Sequence, residues 1–450
     1  MSMRVRSILL LLIVVTVSAP AQTGSSPGRY TLKECIRVAL DRNFDIRETY
    51  ASSRAAAASL TQAFGQYLPG ADFSATYSRQ LTNLNEQTSI VNGVPIRGEP
   101  LPNTYTMNGT LMWTLFNGFR REAQYDAAKN NVDAAENDIQ FQRLLVAYNV
   151  SRQYIEVLRT EQIVQARKEN LSLSRITYDR VKALYDNGRA PITQLLSQET
   201  EVANQETSVI QAENEYDLAK VNLLVLMCVD PTQQVTFDPS SMQSDATSLQ
   251  VDEFRRTIGP ERASVQRAMD SRPDIQALQD REQAAAATIT QASAGYWPTL
   301  MANGGYVWRN FEFNNFSAQG QWYVGLNFRL PLFDQFNTNL NIENARFNHA
   351  QSQLNLERLE QQIGQNVRRA YLQLQAAEKG LDITERAMKS ALANFDAMQE
   401  RFNVGGSQLV EVQQANYQLI TARINRVTAV YAYLDARTFV EFATGMFREP

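Results

Sequence analysis

The chain has 450 residues, 44% of them hydrophobic and 20% charged, and 47 Asp and Glu against 43 Lys and Arg leave a formal net charge of −4. Such a length gives one large fold or roughly two to three ordinary domains, and a mildly acidic chain with no basic cluster argues against nucleic acid as a partner. One histidine (His349), two cysteines (Cys35 and Cys228), no glycine-rich phosphate loop and no clustered metal ligands leave no catalytic set, cofactor cradle or metal site to build an enzyme on.

Residues 1–21 have the layout of a secretory signal peptide. Arg4 and Arg6 form the basic start, 8–15 the apolar centre, and Ala19-Pro20-Ala21 the small residues of a cleavage site before Gln22. A membrane anchor is the alternative, but the apolar run falls short of the roughly 20 residues that span a bilayer. No cysteine follows the cleavage point, so there is no lipoprotein signal, and loss of Arg4 and Arg6 makes the mature chain more acidic. Beyond this segment no apolar run is long enough for a membrane helix, so any crossing has to be made by a β-barrel.

A helix is expected over 31–66, with Thr31 and Glu34 as a capping box. Two strands follow. Phe73, Ala75 and Tyr77 alternate with Asp72, Ser74, Thr76 and Ser78; Tyr105, Met107, Leu111, Trp113 and Leu115 alternate with Thr106, Asn108, Thr110 and Thr114. Each run is about ten residues, the length of a tilted membrane strand, although a soluble two-faced sheet would alternate in the same way. A proline-free helix then runs over 117–187, with Val150, Val157, Val164, Leu171, Tyr178 and Tyr185 in a seven-residue row, and ends at Asp186-Asn187-Gly188 before another long helix. A sustained heptad row means left-handed packing between helices, and such a helix reaches roughly 105 Å.

Residues 230–259, with Pro231 and Pro239 among Ser, Asp and Gln, form a linker with room for a short strand, and then the whole order repeats. A helix over 260–295 precedes a weak strand at 302–308 and a clear one in which Trp322, Val324, Leu326, Phe328 and Leu330 alternate with Tyr323, Asn327 and Arg329. The second long helix, 334–404, carries Val367, Leu374, Leu381, Met388, Phe395 and Phe402, and turns at Asn403-Val404-Gly405-Gly406. Asn43-Phe44-Asp45-Ile46 matches Arg272-Pro273-Asp274-Ile275, and Tyr67-Leu68-Pro69 matches Tyr296-Trp297-Pro298, both at an offset of 229. Leu115-Phe116-Asn117 matches Leu332-Phe333-Asp334, and Tyr154 and Gly188 match Tyr371 and Gly405, at an offset of 217. The change of offset puts a longer connection in the first half, at 82–103 against 310–320. The chain therefore divides into a first repeat (22–229), the linker and a second repeat (260–450).

Arg401-Phe402-Asn403-Val404-Gly405 followed by Leu409-Val410-Glu411-Val412-Gln413-Gln414-Ala415, with Pro331-Leu332-Phe333-Asp334 and Arg272-Pro273-Asp274-Ile275, resembles the tip, strand-to-helix junction and first-helix motifs of the TolC-like outer-membrane efflux family. The resemblance covers essentially all of the mature chain. It implies an α+β membrane protein: a homotrimer whose four strands per subunit make a twelve-stranded barrel in the outer membrane, with a long α-helical barrel projecting into the periplasm. Phe73, Tyr77, Trp113, Trp322 and Phe328 would face lipid. Asn187, Gly188, Val404, Gly405 and Gly406 would form the tips that dock a periplasmic adaptor (membrane fusion protein), which couples the channel to an inner-membrane pump of RND or ABC type. Glu411 and Gln414 stand where the family places paired luminal acids, so that Glu411 would make a ring of three carboxylates that attracts cations. Phe402, Ser407 and Gln194 replace the family's closing tyrosine, arginine and arginine-partner acid. The polar lock is largely missing, and the tip would be held by packing around Phe402 and Tyr185 or be looser. Export of small molecules is the expected function, with type I protein secretion or a periplasmic coiled-coil structural or adaptor protein as the alternatives. Cys228 corresponds to Gly445 and Cys35 to Ser264, and their pairing stays open.

Overall fold

The computed structural model describes residues 29–81, 88–91, 94–97, 101–238 and 248–448; the expected signal peptide, residues 1–21, lies outside them. The expected opening helix is two helices, α1 (Leu32–Arg42) and α2 (Phe44–Gly65). The Thr31–Glu34 box starts the first as expected. Asn43 then adopts ψ 134°, and its carboxamide accepts from the N–H groups of Asp45 and Ile46 to start the second. The matching helix of the second half divides at the same place, into α6 (Glu261–Ser271) and α7 (Pro273–Ser293). There Pro273 forces Arg272 out of the helical region, to ψ 128°, and serves as the first residue of the next helix.

Four strands form one antiparallel sheet in the order β2 (Gly70–Arg79), β5 (Asn103–Phe116), β7 (Thr299–Asn310), β8 (Gly320–Arg329). β7 reads weakly in sequence because Asn303, Gly304 and Gly305 interrupt its alternation. Gly305 is needed there: a Cβ on it would stand 2.3 Å from the Gly109 carbonyl and 3.0 Å from the Tyr323 hydroxyl. The long connection of the first half contains a short hairpin, β3 (Thr88–Val91) with β4 (Val94–Arg97). Directly paired residues share a face. The pairs therefore gather Phe73, Ala75 and Tyr77, Tyr105, Met107, Leu111 and Trp113, Tyr306 and Trp308, and Trp322, Val324, Leu326 and Phe328 on one side. The other side holds Asp72, Ser74, Thr76, Thr106, Asn108, Thr110, Asn303, Arg309, Gln321, Asn327 and Arg329. The β7–β8 turn folds back over the apolar side, where Phe313 and Phe316 lie 5.9 and 4.6 Å from the Trp308 ring and leave it 0% exposed.

Two long helices, α3 (Arg120–Asp186) and α8 (Asn337–Asn403), have 67 residues each, and their partners α4 (Ile192–Leu226) and α9 (Leu409–Ala443) have 35 each. At 1.5 Å per residue the long pair reaches about 100 Å. No helix among the described residues is long and apolar enough to cross a membrane. Val150, Val157 and Val164 are buried as the heptad row requires, but nearer the tip the buried positions become Ser174 and Val181 and Tyr185 is exposed. A straight helix drifts about 20° per heptad from a 3.5-residue repeat, which moves the seam sideways over this length.

The main core lies at mid-length. Cys35, Ile36 and Ala39 of α1 and Ala268 of α6 pack against Val150, Tyr154, Val157, Val367, Leu374 and Tyr433 of the long helices. The linker contributes to it with more structure than expected. β6 (Thr236–Phe237) pairs in parallel with β1 (Arg29–Tyr30), and a helix, α5 (Ser248–Ile258), buries Phe254 and Ile258. Tyr154 ties this belt together by donating its hydroxyl to the Asp238 carbonyl at 2.7 Å. Cys35 and Cys228 are both free thiols, and burial pushes Cys35 up to about 12.

Candidate functional site at the helical tips

Both helical hairpins end in the same turn. Gly188 (φ 69°) donates to the Tyr185 carbonyl and Arg189 to that of Leu184; Gly405 (φ 76°) donates to Phe402 and Gly406 to Arg401. These are Schellman caps, whose left-handed residue is best filled by glycine. A Cβ on Gly188 or Gly405 would meet nothing within 4 Å, so backbone conformation, not crowding, selects glycine at both tips. Asn187, Gly188, Val404, Gly405 and Gly406 are all exposed, Val404 at 84%.

Glu411 and Gln414 share the exposed side of α9, opposite the buried Val412, Ala415 and Leu419. Glu411 is not simply free in solvent: its carboxylate accepts the Gln408 N–H at 2.9 Å and completes a capping box at the start of the helix. Ser407 is half-buried and gives its hydroxyl to the Met398 carbonyl at 3.1 Å, inside its own hairpin. Gln194 is half-buried in the first turn of α4. Phe402 packs with Ala391 and Met398 on Phe395, Val412, Ala415 and Leu419. Tyr185 is 37% exposed, and no ring contact joins it to Phe402 among the described residues. Within one chain Phe402 packs inside its own hairpin.

Near the tips, what joins the two hairpins is polar; higher up, Ile424 and Val427 of α9 pack on Ile163, Val164 and Ala212. Arg180 of α3 donates to Asn403 at the second tip. Above it, Gln198 of α4, 2% exposed, accepts from Gln413 at 2.9 Å and donates to the Ser174 carbonyl at 3.1 Å. A turn or two higher, buried Asn170 accepts from Asn416 at 3.0 Å and donates to Gln205 at 2.7 Å, and Arg423 pairs with Glu169 at 2.7 Å. Each hairpin thus has apolar packing inside it, while an amide ladder ties α9 to α3 and α4. Sequence inspection missed this ladder; its only signal is amides at positions where a helix seam would be apolar.

The five residues expected to face lipid, Phe73, Tyr77, Trp113, Trp322 and Phe328, are all exposed and all lie on the apolar side of the sheet. Trp113 gives its indole N–H to the Tyr67 carbonyl at 2.9 Å. His349 pairs with Glu282 at 2.5 Å between α8 and α7, far along the chain from either tip.

A model of the outer membrane efflux protein family matches residues 35–228 and 264–446, one match for each half of the duplicated chain. The chain is 26% identical over 260 residues to the outer membrane protein TolC of Salmonella enteritidis, covering 54% of this chain and 52% of that protein, so the match spans about half of that relative's length. With TolC of Vibrio cholerae the identity is 22% over 330 residues, covering 72% of this chain and 73% of that protein. The fold is similar to the crystal structure of the Campylobacter jejuni CmeC outer membrane channel, with a TM-score of 0.76 at 19% identity over 93% of this chain and 86% of that one. The duplicated sheet-and-hairpin fold and the family match over both halves identify the chain as a member of the outer membrane efflux protein family, located in the outer membrane with its helical hairpins in the periplasm.

Proposed function

We propose that the chain is one subunit of a homotrimeric outer-membrane channel, a passive conduit that receives small molecules from an inner-membrane pump of RND or ABC type through a periplasmic adaptor. The observation that carries this reading is that one chain joins a sheet with one apolar and one polar side to two helical hairpins of equal length with exposed, matching tips. The sheet's apolar side suits lipid, and its hydroxyls and amides suit a water-filled lumen. The hairpins extend the lumen to the tips, where Asn187, Gly188, Val404, Gly405 and Gly406 form the adaptor-docking surface. Glu411 and Gln414, with Phe402, Ser407 and Gln194 beside them, line the narrow end.

Closure of this tip differs from that of relatives with an arginine–acid lock. Ser407 spends its hydroxyl within its own hairpin, and Gln194 carries no charge to offer a partner. In place of that lock the hairpins are tied by amide contacts, by Arg180 on Asn403 and by the Arg423–Glu169 pair further up, so the tip is looser. Single-channel recording of the purified trimer tests this: frequent openings at rest are expected, and a baseline as tight as that of a fully locked relative would overturn it.

The conduit reading itself is tested by photo-crosslinking from Val404 in native envelopes. Recovery of a periplasmic adaptor and its pump is the expected outcome, and the pump's class names the cargo. Recovery of only soluble periplasmic proteins from Val404 and Asn187 alike would remove the case for efflux. A periplasmic coiled-coil protein would leave the apolar side of the sheet facing water, with Trp322 82% and Phe328 66% exposed, which disfavours that alternative.

A further inference from the structure

The four-stranded sheet has two free edges, β2 and β8, and the internal duplication assigns how they meet. The two hairpins obey the sequence offsets residue for residue. Gly70 opposite Met112 becomes Thr299 opposite Arg329, and Arg79 opposite Asn103 becomes Trp308 opposite Gly320. In this correspondence β7 is the counterpart of β2, and β8 the counterpart of β5. Between the hairpins, β5 meets β7 with Gly109 opposite Tyr306, Thr110 opposite Gly305 and Leu111 opposite Gly304. Carried through the same offsets, these pairs put Leu326 opposite Tyr77, Asn327 opposite Thr76 and Phe328 opposite Ala75, where the second residue of each pair belongs to another copy of the chain.

We propose that β8 of one subunit pairs with β2 of the next in this register, so that the seam between subunits repeats the seam inside each subunit. The inference rests on the trimeric reading above and adds the residues in contact. Three observations support it. The register keeps the faces in phase, with Leu326, Tyr77, Phe328 and Ala75 on the apolar side and Asn327 and Thr76 on the polar side; a slip of one residue would turn every side chain over. It sets large against small at Phe328 and Ala75, as Leu111 is set against Gly304 in the existing seam. It also brings charges together. Arg329 falls opposite Ser74 and diagonal to Asp72, a separation of about 7–8 Å that an arginine can bridge. Both residues are exposed and neither makes an ion pair among the described residues. Slips of two residues would preserve the faces, so they are the alternatives a test has to separate.

Directly opposed residues have Cα atoms about 4.5–5.5 Å apart, inside the roughly 4.4–6.8 Å range a disulfide accepts, whereas diagonal ones do not. Two double variants, Asn327→Cys with Thr76→Cys and Phe328→Cys with Ala75→Cys, would be oxidised in native outer membranes and run on non-reducing gels. Each single variant, which retains Cys35 and Cys228, is the control. Covalent dimers and trimers are expected from both doubles and not from the singles. Asn327→Cys with Ser74→Cys or with Ser78→Cys samples the two-residue slips and is expected to cross-link weakly or not at all. Preferential cross-linking of a slipped pair, or a heat-sensitive trimer in which no pair cross-links, would overturn the register while leaving the trimer standing. A detergent-solubilised protein that sediments as a monomer would remove both.

Discussion

Asn43 and Arg272 occupy the same position in the two halves of the chain but secure it differently. Asn43 caps the helix that follows it. At the second site the N–H groups of Asp274 and Ile275 stand in the same places, but an arginine side chain has no acceptor to offer them, and the buried arginine works on other elements. Its guanidinium grips Asp274 at 2.8 and 3.0 Å, stands 3.4 Å from the Phe442 and Ala443 carbonyls that end α9, and lies over the Phe141 and Phe442 rings. Arg272→Ala leaves the largely buried Asp274 carboxylate without its charged partner and is expected to lower stability by about 3–5 kcal/mol, read as a fall in the melting temperature of the trimer. Arg272→Lys should recover only part of this, because an ammonium cannot form the two-pronged pair. Cys228 takes the left-handed conformation (φ 52°) that Gly445 takes at the matching helix end (φ 70°). Cys228 is a free thiol, and Cys228→Gly should stabilise by about 1 kcal/mol; the same melt reads it. Tyr216 and Tyr431 are each pushed up to about 12, by burial first and the nearby Glu161 carboxylate second. An unfolded chain releases its phenolic protons near pH 10, so this contribution is complete below pH 10 and is lost as the pH rises toward 12. Replacing both by Phe should flatten the decline in melting temperature across that window.

At the level of elements, the long helices were legible because their apolar rows persist over many turns and each ends at a glycine that only a turn requires. The division of the opening helices was not. Ile36, Ala39 and Ile46 keep helical spacing across Asn43, and the proline that marks the second break sits where a helix can also begin. β7 was faint because its glycines serve close backbone approach instead of a face. The β3–β4 hairpin had a readable sign, Asn92-Gly93 between valines. The glycine turns at the hairpin ends and the exposed apolar positions of the sheet could be named from the sequence, but the amide ladder could not. Gln198, Gln413, Asn170 and Asn416 resemble a solvated helix face until the rotation of α9 against α3 and α4 is known, and that rotation is a tertiary property. Gln413→Ala with Asn416→Ala removes the α9 side of the ladder. It should raise the open probability of single channels with little loss of the Phe395–Val412–Leu419 packing; unchanged gating would show that the ladder is only structural.

The whole chain has a mean hydropathy of −0.35, unusual for a membrane protein until its lipid contact is located. In the proposed channel only one side of four strands would meet hydrocarbon, while the helices, which make up most of the described residues, would lie outside it. Adjacent positions on β8 should therefore respond in opposite ways. Leu326→Arg puts a charge on the apolar side and should cost about 2–4 kcal/mol near mid-bilayer, depleting the heat-resistant trimer. Asn327→Arg, one residue on and facing the lumen, should leave the trimer intact and shift ion selectivity.

The bare edges of the sheet also set the order of events in biogenesis. A lone subunit entering hydrocarbon would carry two rows of backbone donors and acceptors with nothing to receive them, at several kcal/mol per group. Strand insertion therefore has to accompany association. The rate at which newly exported chains become protease-resistant should climb faster than in proportion to their concentration, and a subunit with a disabled β2 edge should stall its neighbours as well as itself.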